Sequence, residues 1–101
     1  MAADYFYEVK NYLDITFTDA DTDTKLQGIC SRAEKYLSKA AGSERTFSKS
    51  MEDKSLLQLL FDCIRYIWSG SLDDFAKNYS DDLFMLRANV HADAEEEEES
   101  S

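Results

Sequence analysis

The chain has no proline, and its 101 residues include only three glycines. All-β folds need turns at short intervals, and those turns depend heavily on glycine and proline. The scarcity of both residues therefore favours a few long elements, which are helices. With 44% hydrophobic and 13% aromatic residues, the chain has enough apolar side chains to build the core of one domain.

Basic residues are also few, and they are scattered along the chain. Eleven lysines and arginines stand against 21 aspartates and glutamates, which gives a formal net charge of −10. A surface of this charge repels the phosphate backbone of DNA and anionic lipid. The composition therefore disfavours nucleic-acid binding through a basic patch.

Long hydrophobic runs are missing as well. No stretch approaches the roughly 18 apolar residues that a membrane span requires, so no membrane contact is expected. Residues 1–14 carry acids early and lack the basic-then-apolar order of a secretory signal. We therefore expect the chain to stay in the cytoplasm in which it is made.

Residues typical of catalytic or metal sites are sparse. Cys30 and Cys63 have no CxxC spacing and no companion histidines, and both lie in stretches of helical periodicity. This placement favours buried free thiols over a metal or redox site. His91, the one histidine, stands beside an acidic tail without a partner at triad or ligand spacing. No catalytic residue, metal site or cofactor is predicted.

An acidic stretch before the second predicted helix comes close to a calcium-binding loop. Asp19, Asp21 and Asp23 have the alternating spacing that opens an EF-hand. The glycine position of that loop is Thr24, however, and the position of its closing glutamate is Cys30. We expect these acids to cap a helix instead.

Apolar residues recur at helical spacing in four segments. The third is apolar on nearly every side, more than a lone domain of this size is expected to cover, which points to an oligomer. The fourth has a narrow, heptad-like stripe that we expect to dock on the third helix, with a neighbouring subunit as the alternative. The predicted helices run from Asp4 to Asp14, from the Thr18–Asp23 stretch to Gly42, from near Ser50 to Trp68, and from Leu72 to Val90.

The predicted fold is therefore all-α, a small bundle of about four helices. It has a short N-terminal helix, two long helices and the heptad-like C-terminal helix, all within a single domain of residues 1–92. Residues 93–101 form an acidic tail with six acids, no base and almost no apolar content. Such a run of like charge predicts disorder in the free protein.

Three segments share their order, lengths and helix faces with a known protein family. They are EVKNYLDI (Glu8 to Ile15), DTDTKLQGICSRAEKYLSKAAG (Asp21 to Gly42) and LLFDCIRYIWSGSLDDFAKNYSDDLFMLR (Leu59 to Arg87). Together they resemble the head–tail connector family of tailed bacteriophages and prophages, whose members are often described as DNA-packaging proteins. The resemblance covers most of residues 5 to 90, and the acidic tail departs from it.

The resemblance implies a structural protein of the virion, located at the head–tail interface after synthesis in the host bacterial cytoplasm. Members of the family assemble as a ring beneath the portal, and this ring extends the DNA channel. The partners implied are other copies of the chain, the phage portal protein and the next tail-proximal connector or stopper protein. DNA would pass through the ring without specific binding, and neither catalysis nor a cofactor is implied.

Aromatic side chains are the first candidates for contacts in such a ring, because they dominate the binding energy of interfaces. The candidate subunit or portal interface residues are Tyr5, Tyr7, Phe47, Tyr66, Trp68 and Arg87. For Phe47, alone in a polar loop, packing onto the core is the alternative. The candidate channel-facing or portal-docking residues of the tail are Asp93, Glu95, Glu96, Glu97, Glu98 and Glu99. Carboxylates lining a channel would repel DNA and let it slide.

The sequence leaves three other classes of function open. The charge of −10 also suits an acidic partner-binding or DNA-mimic module. A packaging accessory protein of the small-terminase type would need a basic recognition helix. A small enzyme would need carboxylates that converge in a deep pocket.

Overall fold

A computed structural model describes residues 3–16, 19–42 and 45–88. Within these ranges the chain forms five helical segments and no strand, which confirms the predicted all-α class. The segments are α1 (Phe6–Tyr12), α2 (Ala20–Ala41), α3 (Lys54–Trp68), α4 (Leu72–Asn78) and α5 (residues 80–88, where the described range ends). None of these helices combines the length and the apolar character needed to cross a membrane.

Helix α2 begins and ends at the predicted signals. The Asp19 carboxylate accepts hydrogen bonds from the backbone amide and the hydroxyl of Thr22, at 3.2 and 2.7 Å. These bonds stabilise the charged form and lower the pKa of Asp19. At the other end, Gly42 adopts a left-handed conformation with φ of +81°, and its amide donates to the Lys39 carbonyl. Asp19 therefore caps α2 as predicted, and Asp21 and Asp23 lie in its first turn.

Helix α3 begins four residues later than predicted. The expected start was near Ser50. The structure places the first helical residue at Lys54, with Asp53 as the N-cap whose carboxylate accepts a 3.0 Å hydrogen bond from the Leu56 amide. A capping aspartate lies outside the helix that it caps. The predicted start of α3 was therefore wrong, although an acid does lie at its N-terminus.

The loop before α3 is held by the N-terminal end of the chain. The Asp4 carboxylate accepts a 2.6 Å hydrogen bond from the Ser48 hydroxyl and a 3.0 Å hydrogen bond from the Lys49 amide. Both bonds lower the pKa of Asp4. Ser48 and Lys49 thus have tertiary partners in a non-helical conformation, which explains why the helix starts after them.

The C-terminal helix is bent, whereas the sequence predicted one helix from Leu72 to Val90. Helix α4 ends at Asn78, and α5 follows after Tyr79, whose φ and ψ are −112° and 22°. A straight helix drifts by about 20° for each heptad, so a five-turn apolar stripe would turn away from its partner. The bend at Tyr79 keeps both Phe75 and Leu86 buried. The predicted docking of the stripe within the chain is therefore confirmed, while Val90 lies outside the described residues.

The core is centred on α3, and the chain covers this helix on three sides. Helix α2 packs along one side and α4 along another. The rings of Tyr5 and Tyr12, at either end of α1, lie 5.9 and 5.8 Å from Phe61 on the remaining side. No large apolar residue of α3 is left exposed. The chain therefore covers α3 more fully than predicted, because α1 packs on its third side. Leu57, Phe61, Tyr66 and Trp68 keep part of their surface exposed.

Gly28 within α2 and Gly42 at its C-terminal cap provide a matched test of this local structure. A Cβ atom at Gly28 would meet nothing within 4 Å, whereas Gly42 has a φ of +81° that L-residues rarely adopt. We expect Gly28→Ala to raise the free energy of unfolding by about 1 kcal/mol, through helix propensity alone. Gly42→Ala should lower it by roughly 1–2 kcal/mol, because alanine is strained in the left-handed region. Urea denaturation followed by circular dichroism measures both, and a destabilised Gly28→Ala variant would contradict the open surface at this position.

Candidate functional site

Two of the predicted interface residues belong to the core. Tyr5 has no exposed surface, and its hydroxyl donates a hydrogen bond to the Glu34 carboxylate. Burial, together with this hydrogen bond, raises the pKa of Tyr5. Phe47 is 6% exposed and packs onto the core, as the alternative for this loop residue predicted. Neither side chain offers surface to another subunit, so both are removed from the candidate interface.

Two further candidates are half-buried and have partners within the chain. The Tyr66 ring meets Phe75 and Tyr79 edge-on, with ring centroids 5.6 Å apart in each pair. The Lys25 ammonium lies 5.3 Å from the centroid of the Trp68 ring, in the range of a cation–π contact. Both aromatic residues therefore make contacts within their own chain, and their role in an interface stays a prediction.

The exposed apolar residues lie mainly on α5. Among the described residues, the large hydrophobic side chains that remain exposed are Tyr7 at 71%, Phe84 at 72% and Met85 at 54%. Tyr7 was predicted, and Arg87 is likewise exposed on α5, but Phe84 and Met85 were missed. A signal for them was present: residues 83–86 read LFML, and consecutive helical residues point about 100° apart. One buried stripe cannot hold all four side chains, so two of them must face outward.

An open groove of about 530 Å³ lies between the N-terminal half of α3 and α5. Its lining combines apolar side chains with three acids and one base, and we call it the acidic groove. The apolar lining consists of Leu56, Leu59, Tyr79, Met85 and Leu86, and the polar lining of Asp53, Lys54, Ser55, Gln58, Asp62 and Asp82.

Two of the three carboxylates in the acidic groove help to hold the structure. Asp53 caps α3 through the Leu56 amide. Asp62 accepts hydrogen bonds from the Tyr12 hydroxyl and, at 3.1 Å, from the Gln58 amide. Burial of its ring and the hydrogen bond to Asp62 raise the pKa of Tyr12. With these oxygens engaged, the groove offers a binding surface whose negative charges are fixed in place.

The remaining charges leave the acidic groove negative. The one base of the lining, Lys54, donates a 2.9 Å hydrogen bond from its ammonium to the Lys49 carbonyl. Asp82 is exposed at the rim. Burial and the nearby Asp62 carboxylate raise the pKa of Tyr79 to about 12, so this phenol stays neutral at physiological pH. A ligand with positive charges and apolar contacts would complement the groove.

The two cysteines are free and buried, as predicted. Burial raises the pKa of both the Cys30 and the Cys63 thiols to about 12, so neither provides a thiolate at neutral pH. Within residues 3–16, 19–42 and 45–88, no three acidic, histidine or cysteine side chains group together in a way that could hold a metal ion. His91 lies outside these ranges.

The acidic tail also lies outside the described residues, so the role predicted for Asp93 and for Glu95 to Glu99 stays a prediction. Comparisons of the chain with protein families, curated proteins and solved structures found no match. The resemblance to connector proteins therefore depends on the residue pattern alone.

Proposed function

We propose that the chain is a structural head–tail connector of a tailed phage or prophage. It assembles as a ring beneath the portal, extends the DNA channel and docks the next tail-proximal protein. It is a component of the virion, and it works by binding, without catalysis and without a cofactor.

The observation that carries this proposal is the exposed apolar pair on α5. Phe84 and Met85 are adjacent in sequence and are 72% and 54% exposed. Exposed apolar surface of this kind is typical of protein–protein interaction sites, where phenylalanine and methionine are enriched. The pair also lies within the third segment of the resemblance, residues 59–87, close to its end. A connector needs such a surface to join its neighbours.

The segments of the resemblance correspond to helices of the fold. The second segment, Asp21 to Gly42, covers nearly all of α2 together with its glycine cap. Within it, Ala33 and Leu37 are buried. The third segment runs from α3 through α4 into α5. The shared pattern thus consists of the residues that build the bundle, which supports a common helical fold.

The negative charge of the chain suits a protein that surrounds a channel for DNA. A net charge of −10 repels the phosphate backbone, so copies that surround a channel would not retain DNA by nonspecific binding. The acidic tail adds to this effect if it faces the channel.

Native mass of the full chain, measured alone and with the portal protein encoded by the same phage or prophage genome, tests the proposal. We expect a ring of the chain alone or an assembly that forms on the portal. A chain that remains monomeric at every concentration, does not bind the portal and is absent from purified virions would contradict the proposed function.

The acidic groove favours a second candidate, an acidic module that binds a basic protein. In that case the chain would act as a monomer or dimer, and its target would carry a positively charged surface. A pull-down from cells that recovers a nuclease or a DNA-binding protein in place of the portal would support this alternative.

A further inference from the structure

A ring closed by head-to-tail contacts requires two different surfaces that complement each other on every copy. The acidic groove is one such surface, and α2 provides a second of opposite charge. The inference drawn from this pairing rests on the ring of the proposed function.

The basic surface of α2 is formed by Arg32, Lys35 and Lys39, which we call the basic face. These residues are three and four positions apart, so they share one side of the helix. All three are exposed, whereas Ala33 and Leu37 on the other side of α2 are buried. The basic face therefore points away from the core.

The charges of the basic face differ in how far their own chain balances them. Arg32 borders a notch of about 430 Å³ that is also lined by Asp73 and Asp74. Lys35 borders a smaller depression of about 300 Å³, whose charged lining also includes Glu34 and Arg45, so that it holds one acid and two bases. Lys39 lies one turn further along α2. Lys35 and Lys39 are therefore the residues best placed to reach another copy.

Among the residues that the structure describes, neither the basic face nor the acidic groove forms a salt bridge. In the described part of the chain, the salt bridge that forms joins Lys10 and Asp23, at 2.9 Å, and it lies on neither surface. No residue of α2 lines the acidic groove. The two charged surfaces are thus separate, as a head-to-tail contact requires.

We propose that the acidic groove of one copy binds the Lys35–Lys39 face of α2 of a second copy. The lysine ammonium groups approach the carboxylates of Asp62 and Asp82, while their aliphatic stems cover the exposed surface of Met85. The acidic tail of the chain is a poor occupant of this groove, because both are negative.

Gly28 supports a close approach at this face. It is exposed and lies seven residues before Lys35, two helical turns away on the same side of α2. Nothing in its own chain lies within 4 Å of a Cβ atom at this position, so no intramolecular contact requires glycine here. The absence of a side chain lets a second copy approach the α2 backbone two turns before Lys35.

Charge reversal at the groove tests the proposal, with a neighbouring residue as the control. Asp82 lines the acidic groove, whereas Asp81 is exposed on the same helix and does not line it. In sedimentation of the full chain over a range of concentrations at low salt, we expect Asp82→Lys to weaken self-association about tenfold or more, because like charges then face each other. Asp81→Lys makes the same change in net charge and should associate as the wild type does.

Reversal of the basic face completes the test. The double variant Lys35→Glu with Lys39→Glu should lose association to a similar degree when alone. A mixture of this variant with Asp82→Lys should recover it, because every contact in an alternating ring again joins opposite charges. The chain that carries all three substitutions should also assemble by itself.

The outcomes separate this inference from the proposed function. If the wild type associates but Asp82→Lys is no weaker than Asp81→Lys, or if the mixture does not recover association, the inference is wrong and the connector function stands. If Asp82→Lys self-associates as the wild type does but no longer binds the portal, the groove binds a basic segment of the portal. The inference is then also overturned. A wild type that associates neither with itself nor with the portal would overturn both.

Discussion

Replacement of Phe75 by alanine is expected to lower the free energy of unfolding by about 3–5 kcal/mol. Phe75 has no exposed surface. Its ring centroid lies 4.6 Å from that of Tyr79 in a stacked pair, and 5.6 and 6.0 Å from those of Tyr66 and Tyr36. The substitution therefore leaves a cavity where α2, α3 and α4 meet. Since small domains are stable by only about 5–15 kcal/mol, urea denaturation should show a large loss.

Phe84→Ala is the matched control, because it removes the same kind of side chain from an exposed position. Phe84 is 72% exposed, so its loss should change the free energy of unfolding by no more than about 0.5 kcal/mol. Similar losses for the two variants would contradict the packing of α4 against α3.

Removing the apolar pair of α5 should have the largest effect on assembly. We expect the double variant Phe84→Ser with Met85→Ser to weaken assembly of the chain with itself and the portal by about 30-fold, the effect of losing one interface hot spot. Because both residues are exposed, their substitution removes little from the core. Affinity measured by sedimentation of chain and portal mixtures checks the result, together with a denaturation curve that should match the wild type.

A conservative variant tests whether the loss of affinity comes from the loss of apolar contact. Phe84→Leu retains an apolar side chain at the same position and should lose much less affinity than the serine variant. Assembly of the double serine variant at wild-type affinity would show that α5 is not the docking surface. Tyr7, the exposed aromatic residue of α1, would then be the remaining exposed aromatic candidate among the described residues.

The features of the fold that are set locally could be predicted from the sequence. Asp19 and Gly42 mark the ends of α2 because capping depends on neighbouring residues alone. The all-α class follows in the same way from composition and spacing. The two cysteines were placed correctly in the core, because their positions on helical stripes fix the direction in which they point.

Features set by tertiary contacts could not be predicted in this way. Tyr5 is an aromatic residue near the end of the chain, and only the position of α1 against α3 reveals that it is buried. For the same reason, periodicity overestimated the apolar surface that α3 leaves open. The bend at Tyr79 depends on how the stripe of α4 and α5 follows its partner helix. The acidic groove depends on that bend, so no single segment of sequence predicts it.

Tyr79 links two surfaces that would otherwise be independent. Helix α5 forms one wall of the acidic groove and also carries Phe84, and Leu86 is its one buried residue. The angle at Tyr79 thus sets both the width of the groove and the direction in which Phe84 points. A molecule bound in the groove would contact both α3 and α5 and would restrict that angle, so binding there would also fix the orientation of Phe84.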